Sequence, residues 1–95
     1  MNIQFLKTEL KKYCHEAVID RKIRTIDGFD EDLKNALDAF LNTGDYPDIE
    51  INGWTIEKIM LKTRENVIEA FIYFDMMQKN PDFADGFKYL GFGRK

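Results

Sequence analysis

The sequence predicts a mainly α-helical fold: three to four helices packed around a long central helix over about residues 55–79, with at most a minor two-stranded β element. Three observations carry this reading. Apolar residues recur at three- and four-residue spacing through most of the chain. Neither glycine nor proline interrupts residues 55–79. Alternation of apolar and polar residues, the mark of a half-buried strand, is confined to "DIEIN" at 48–52.

The elements follow in order. Over residues 3–18, Ile3, Leu6, Leu10, Tyr13, Cys14, Ala17 and Val18 share one side of a helix. Beyond Val18 the face changes. Arg21 and Arg24 fall where the stripe should continue, while Ile19, Ile23 and Ile26 gather on the opposite side. Either the helix breaks near residue 20 or its second half packs on another neighbour. Gly28, in "DGFD", reads as a left-handed stop. The second helix is capped by Asp30, with Glu31 and Asp32 at the positive end of its dipole. Leu33, Ala36, Leu37, Phe40 and Leu41 form its apolar stripe, and Gly44 closes it.

"DIEINGWTIEK" invites a calcium-loop reading, because Asp48, Glu50, Asn52 and Gly53 occupy the first, third, fifth and sixth places. The closing twelfth place, which needs a bidentate glutamate, is Ile59. The stretch therefore reads as a short strand, an Asn-Gly turn and a Thr55 cap, with Trp54 folding onto the helix that follows. "FKYLGF" is the one segment suited to pair with the strand.

In the central segment Ile56, Ile59, Met60, Thr63, Val67, Ala70, Phe71, Phe74 and Met77 make one stripe. A second stripe, Leu61, Ile68, Ile72 and Met76, lies roughly 100° further round. One continuous helix would run about 37 Å, so a break at "KTREN", with Thr63 capping the second piece, is the alternative. Asn80, Pro81 and Gly86 then read as the cap, first residue and stop of a short helix. Residues 86–95 read as an extended aromatic and basic tail, from which Phe87, Tyr89, Leu90 or Phe92 dock back on the body.

Ninety-five residues, 44% apolar and 33% charged, describe one soluble helical domain over 1–95. No apolar run reaches the roughly 18 residues of a membrane span, and "MNIQFLKTELKKY" lacks the features of a signal peptide. One cysteine fits a reducing compartment, so a cytoplasmic location is expected. The net charge of −3 is uneven: residues 1–26 carry +3, 27–52 carry −7, 53–86 carry −2 and the last nine +3. The acidic middle repels a phosphate backbone.

Catalytic constellations are missing from the pattern. The chain has no serine, and its single cysteine and single histidine, Cys14 and His15, are adjacent and diverge on a helix. No zinc site can be closed, no glycine-rich phosphate loop precedes a helix, and the clustered carboxylates sit on caps and solvent faces. The expectation is a non-enzyme with no cofactor and no metal. It would be a small interaction or regulatory protein working through a helical surface, with another protein or an identical chain as partner and no membrane. The candidate partner-binding residues are Leu61, Ile68, Ile72, Met76, Phe87, Tyr89 and Phe92, since two central stripes require two partners and an uncovered one would be an apolar patch. A helix-turn-helix nucleic-acid binder is the alternative, from the rhythm of "TIEKIMLKTRENVIEAFIYF". Against it, the second helix carries Glu65, Glu69 and Asp75 where basic or amide contacts belong, with Asn66 alone of a suitable type among these positions.

Overall fold

Neither of the two long helical stretches is continuous. In a computed structural model describing residues 3–91, the chain forms six α-helices and a final 3-10 turn, with no strand among the described residues. They are α1 (Ile3–Lys11), α2 (Glu16–Asp27), α3 (Glu31–Thr43), α4 (Ile56–Thr63), α5 (Val67–Lys79) and α6 (Pro81–Gly86), followed by the 3-10 turn Phe87–Tyr89.

The first break falls at residues 12–15, earlier than the change of face suggests. The last N–H groups of α1 tighten onto Glu9 and Leu10 carbonyls, and His15 starts a new helix. His15 is extended, with φ −65° and ψ 143°, and its Nδ1 accepts the Ala17 N–H at 3.2 Å. A residue expected on a solvated flank is thus a helix cap. The break resets the phase. Tyr13 and Ala17, expected on the core stripe, are exposed, while Ile19 and Ile26 of the opposite face are buried.

The second break divides the expected central helix. Arg64 takes the left-handed conformation at φ 60°, its N–H still bonded to Met60 O at 2.7 Å. Asn66 then caps α5 by accepting the Glu69 N–H at 3.0 Å. Thr63 is not that cap. It is buried, and its hydroxyl donates back to Ile59 O at 2.9 Å and accepts the Glu65 N–H at 3.2 Å.

The main stripe survives the break because α4 and α5 fold against each other. Ile56, Ile59, Thr63, Val67, Ala70, Phe71, Phe74 and Met77 are all buried. At full burial each large apolar side chain contributes about 1.5–3 kcal/mol. With eight of its thirteen residues buried, α5 is the core element. Around it lie α3, supplying Leu33 and Leu37, α1, supplying Leu6 and Leu10, and α2.

Turns and caps complete the frame. Asp30 Oδ1 accepts the Leu33 N–H at 2.8 Å, and Gly44 closes α3 at φ 80°. Gly28 is not a left-handed stop. Its φ is −84°, and the corner is held instead by its N–H to the Arg24 and Thr25 carbonyls. Ile51 and Trp54 exchange both backbone hydrogen bonds across Asn52 and Gly53, whose φ values of 49° and 85° are the paired positive angles of a tight hairpin turn. That bridge is local, and among the described residues the segment makes no backbone pairing with the tail. Thr55 Oγ1 accepts the Lys58 N–H and starts α4.

α6 ends at Gly86 as expected, but the glycine stays right-handed at φ −87°. The chain tightens into the 3-10 turn, so residues 87–89 are helical where an extended tail was expected. No helix among the described residues is long and apolar enough to cross a membrane.

Candidate functional site

The second central stripe does not remain one surface. Ile68 and Ile72 are buried, at 1% and 9% exposure. On the Ile72 side α5 meets α2. Lys22 of α2 pairs with Glu69 of α5, and Val18, Lys22 and Thr25 share a cleft with Glu69 and Ile72. Phe87 is fully buried, its ring edge-on to Trp54 at 4.7 Å and 5.6 Å from Phe83. Among the described candidates, Leu61, Met76 and Tyr89 remain outward-facing, at 80%, 42% and 79% exposure. They sit on α4, on α5 and on the terminal turn. Phe92 lies outside the described residues.

Leu61 stands beside an apolar hollow. Gly44 ends α3 and turns the chain so that Tyr46 stacks on Phe40, ring centroids 5.3 Å apart and planes 29° apart. Tyr46, Glu57, Met60 and Leu61 then line a shallow depression of about 200 Å³ between the end of α3 and the outer face of α4. Met60, placed on the core stripe by periodicity, is only half-buried and is one of its lining residues. Sequence reasoning missed Tyr46. Its signal was an aromatic ring in an otherwise acidic loop, "GDYPD".

Other clefts lie elsewhere on the domain. One of about 250 Å³ between α1, α2 and α3 is lined by Ile3, Leu6, Ile23 and Ile26 with Asp27 and Lys34 at its edge. The α2–α5 cleft is bridged by the Lys22–Glu69 pair.

Asp75 and His15 have structural partners. The Asp75 carboxylate, buried in α5, pairs with Lys79 at 2.9 Å. Burial, then the Glu69 and Glu65 carboxylates, pushes the Tyr73 phenol above its ordinary value, with Lys22 acting the other way. Cys14 is half-buried, and His15 is held in its cap. Among the described residues no group of three or more histidine, cysteine or carboxylate side chains converges as metal ligands would.

The α4–corner–α5 unit has the outline of a helix-turn-helix, but α5 is the core helix of the domain. Its outward residues are Met76, Gln78 and Lys79, all in its last turn, which leaves no free face long enough to lie in a major groove. No protein-family model, curated protein or solved structure matches this chain.

Proposed function

We propose that this is a small non-enzymatic interaction protein whose binding surface is the α3–α4 hollow. The observation that carries the reading is Leu61, a large apolar side chain 80% exposed at the edge of an apolar depression. A single exposed leucine is ordinary on a protein surface. One adjoining a stacked Phe40–Tyr46 pair and a half-buried Met60 makes a contiguous apolar spot with aromatic anchors, the composition of an interface centre.

The test compares Leu61→Asp with Met76→Asp. Both sites are exposed, so both variants keep the fold, which thermal melting verifies. Proteins retained by a tagged wild-type chain in its source cells should be lost with Leu61→Asp and kept with Met76→Asp. Equal retention by the two variants would contradict the reading. The nucleic-acid alternative predicts salt-dependent retention on heparin, and the proposed surface predicts none.

A further inference from the structure

We infer that the outer edge of the segment 46–50 takes up an extended peptide of alternating basic and apolar residues as an added strand. This goes beyond the hollow and does not rest on it.

The backbone carries the inference. Exposure alternates residue by residue from Tyr46 to Asn52: Pro47, Ile49 and Ile51 are half-buried, and the residues between and beside them are exposed. No residue from 46 to 51 has a positive φ. A period of two is that of a strand. In a strand the N–H and C=O groups of every second residue point to the same edge. Ile51 exchanges both of its groups with Trp54. Ile49 and Pro47 therefore face that inner edge, where the chain turns away into α4. Tyr46, Asp48 and Glu50 face the outer one. Pro47, the one residue of the segment without an N–H, lies on the inner edge, so the outer edge keeps all its donors. Among the described residues nothing is hydrogen-bonded to the backbone groups of Tyr46, Asp48 or Glu50. An unpaired edge of this kind is a template for strand addition.

The surroundings select the peptide. A cleft of about 230 Å³, lined by Asp32, Leu33, Ile49, Glu50, Phe74 and Gln78, adjoins the segment. Leu33 and Phe74 are core residues and Ile49 packs against the core, so the inward side chains of an added strand meet apolar surface. Side chains opposite one another on neighbouring strands share a face. The outward ones therefore stand beside Asp48 and Glu50, which are exposed and have no ion pair among the described residues. Lysine or arginine outward and apolar residues inward suit the two faces. An acidic strand is repelled, as is a phosphate backbone.

The test titrates the isotope-labelled wild-type chain with up to about 1 mM of a short capped peptide of alternating lysine and valine, read by nuclear magnetic resonance. Binding should slow solvent exchange of the Asp48 and Glu50 amides and leave the Ile49 amide at its own rate, because only the former face the added strand. Of two peptides N-methylated at alternate residues, the lysines or the valines, one should lose binding and the other keep it. A glutamate–valine peptide should not bind. The double variant Asp48→Lys/Glu50→Lys, shown to be folded by circular dichroism, should bind the lysine–valine peptide at least about tenfold more weakly at low salt. No slowed exchange in the wild type overturns the inference. So does equal slowing at Ile49, or two methylated peptides that behave alike. Equal binding of the glutamate–valine peptide, or an undiminished affinity in the double variant, overturns it as well.

Discussion

The Lys79 ammonium lies 2.9 Å from the Asp75 carboxylate, and the same nitrogen donates to the Gly28 carbonyl at 3.2 Å. One side chain thus neutralises a buried acid in α5 and ties the end of that helix to the α2–α3 corner. Lys79→Met should cost about 1–2 kcal/mol, chiefly by stranding the carboxylate, and less than a fully buried pair because the lysine is mostly exposed. Adding Asp75→Asn should recover part of the loss. Urea denaturation measures both, and a double variant that loses the full sum of the two single effects would show that the pair is not coupled.

Tyr73 gives the fold an alkaline limit. Its phenol is held above the ordinary value by burial and by Glu69 and Glu65. Raising the folded-state pKa makes the contribution fully present below the unfolded value of about 10 and lost as pH rises from there through the folded value. Of four tyrosines in the chain, one should titrate late in an ultraviolet absorbance titration, and Tyr73→Phe should remove that step. The variant should also flatten the fall in melting temperature above about pH 10. An unchanged late step in Tyr73→Phe would contradict the assignment.

The break between α4 and α5 has its own signature. Asn66→Ala should destabilise by about 1 kcal/mol through a lost N-cap, whereas a continuous helix would gain from the same change. Arg64→Gly should stabilise by about 0.5–1 kcal/mol, since glycine adopts a positive φ without steric cost. Chemical denaturation distinguishes these directions.

Phe87 is a core residue and not a contact residue. Phe87→Ala should cost about 3–5 kcal/mol and red-shift the emission of Trp54, the sole tryptophan and its edge-on neighbour. A variant that kept wild-type stability but lost a binding partner would reverse this assignment.

Residues whose roles depend on local chemistry were legible in the sequence. The Asp30 and Thr55 caps, the Gly44 stop and the Asn52–Gly53 turn follow from side-chain hydrogen bonding and permitted φ. The main stripe of α4 and α5 was legible too, because the break at residues 64–66 preserves which faces meet. The breaks were legible only in part. A break at "KTREN" was one reading of the central segment, with the cap placed on Thr63 instead of Asn66. A break near residue 20 was one reading of the first stretch, where it falls at residues 12–15. His15 is a rare cap, and Arg64 is an unfavoured left-handed residue, so neither residue type announces the end of a helix. Placing the first break too late hid the approach of α2 to α5, where Lys22 pairs with Glu69 and Ile72 shares a cleft with Val18 and Thr25. Reading the central segment as one helix made Leu61 continuous with Ile68, whereas Leu61 is exposed and Ile68 buried on either side of the corner. The hollow escaped notice because Tyr46 and Leu61 are distant in sequence and meet only through the fold.

The most direct test of the proposed surface is site-specific photo-crosslinking in the source cells, with a benzophenone side chain placed in turn at Leu61, Met76 and Tyr89. These are the three described candidates exposed to solvent. The account predicts a protein adduct from position 61, competed by untagged wild type and not by Leu61→Asp, with positions 76 and 89 silent. An adduct from Met76 or Tyr89 with position 61 silent would contradict it.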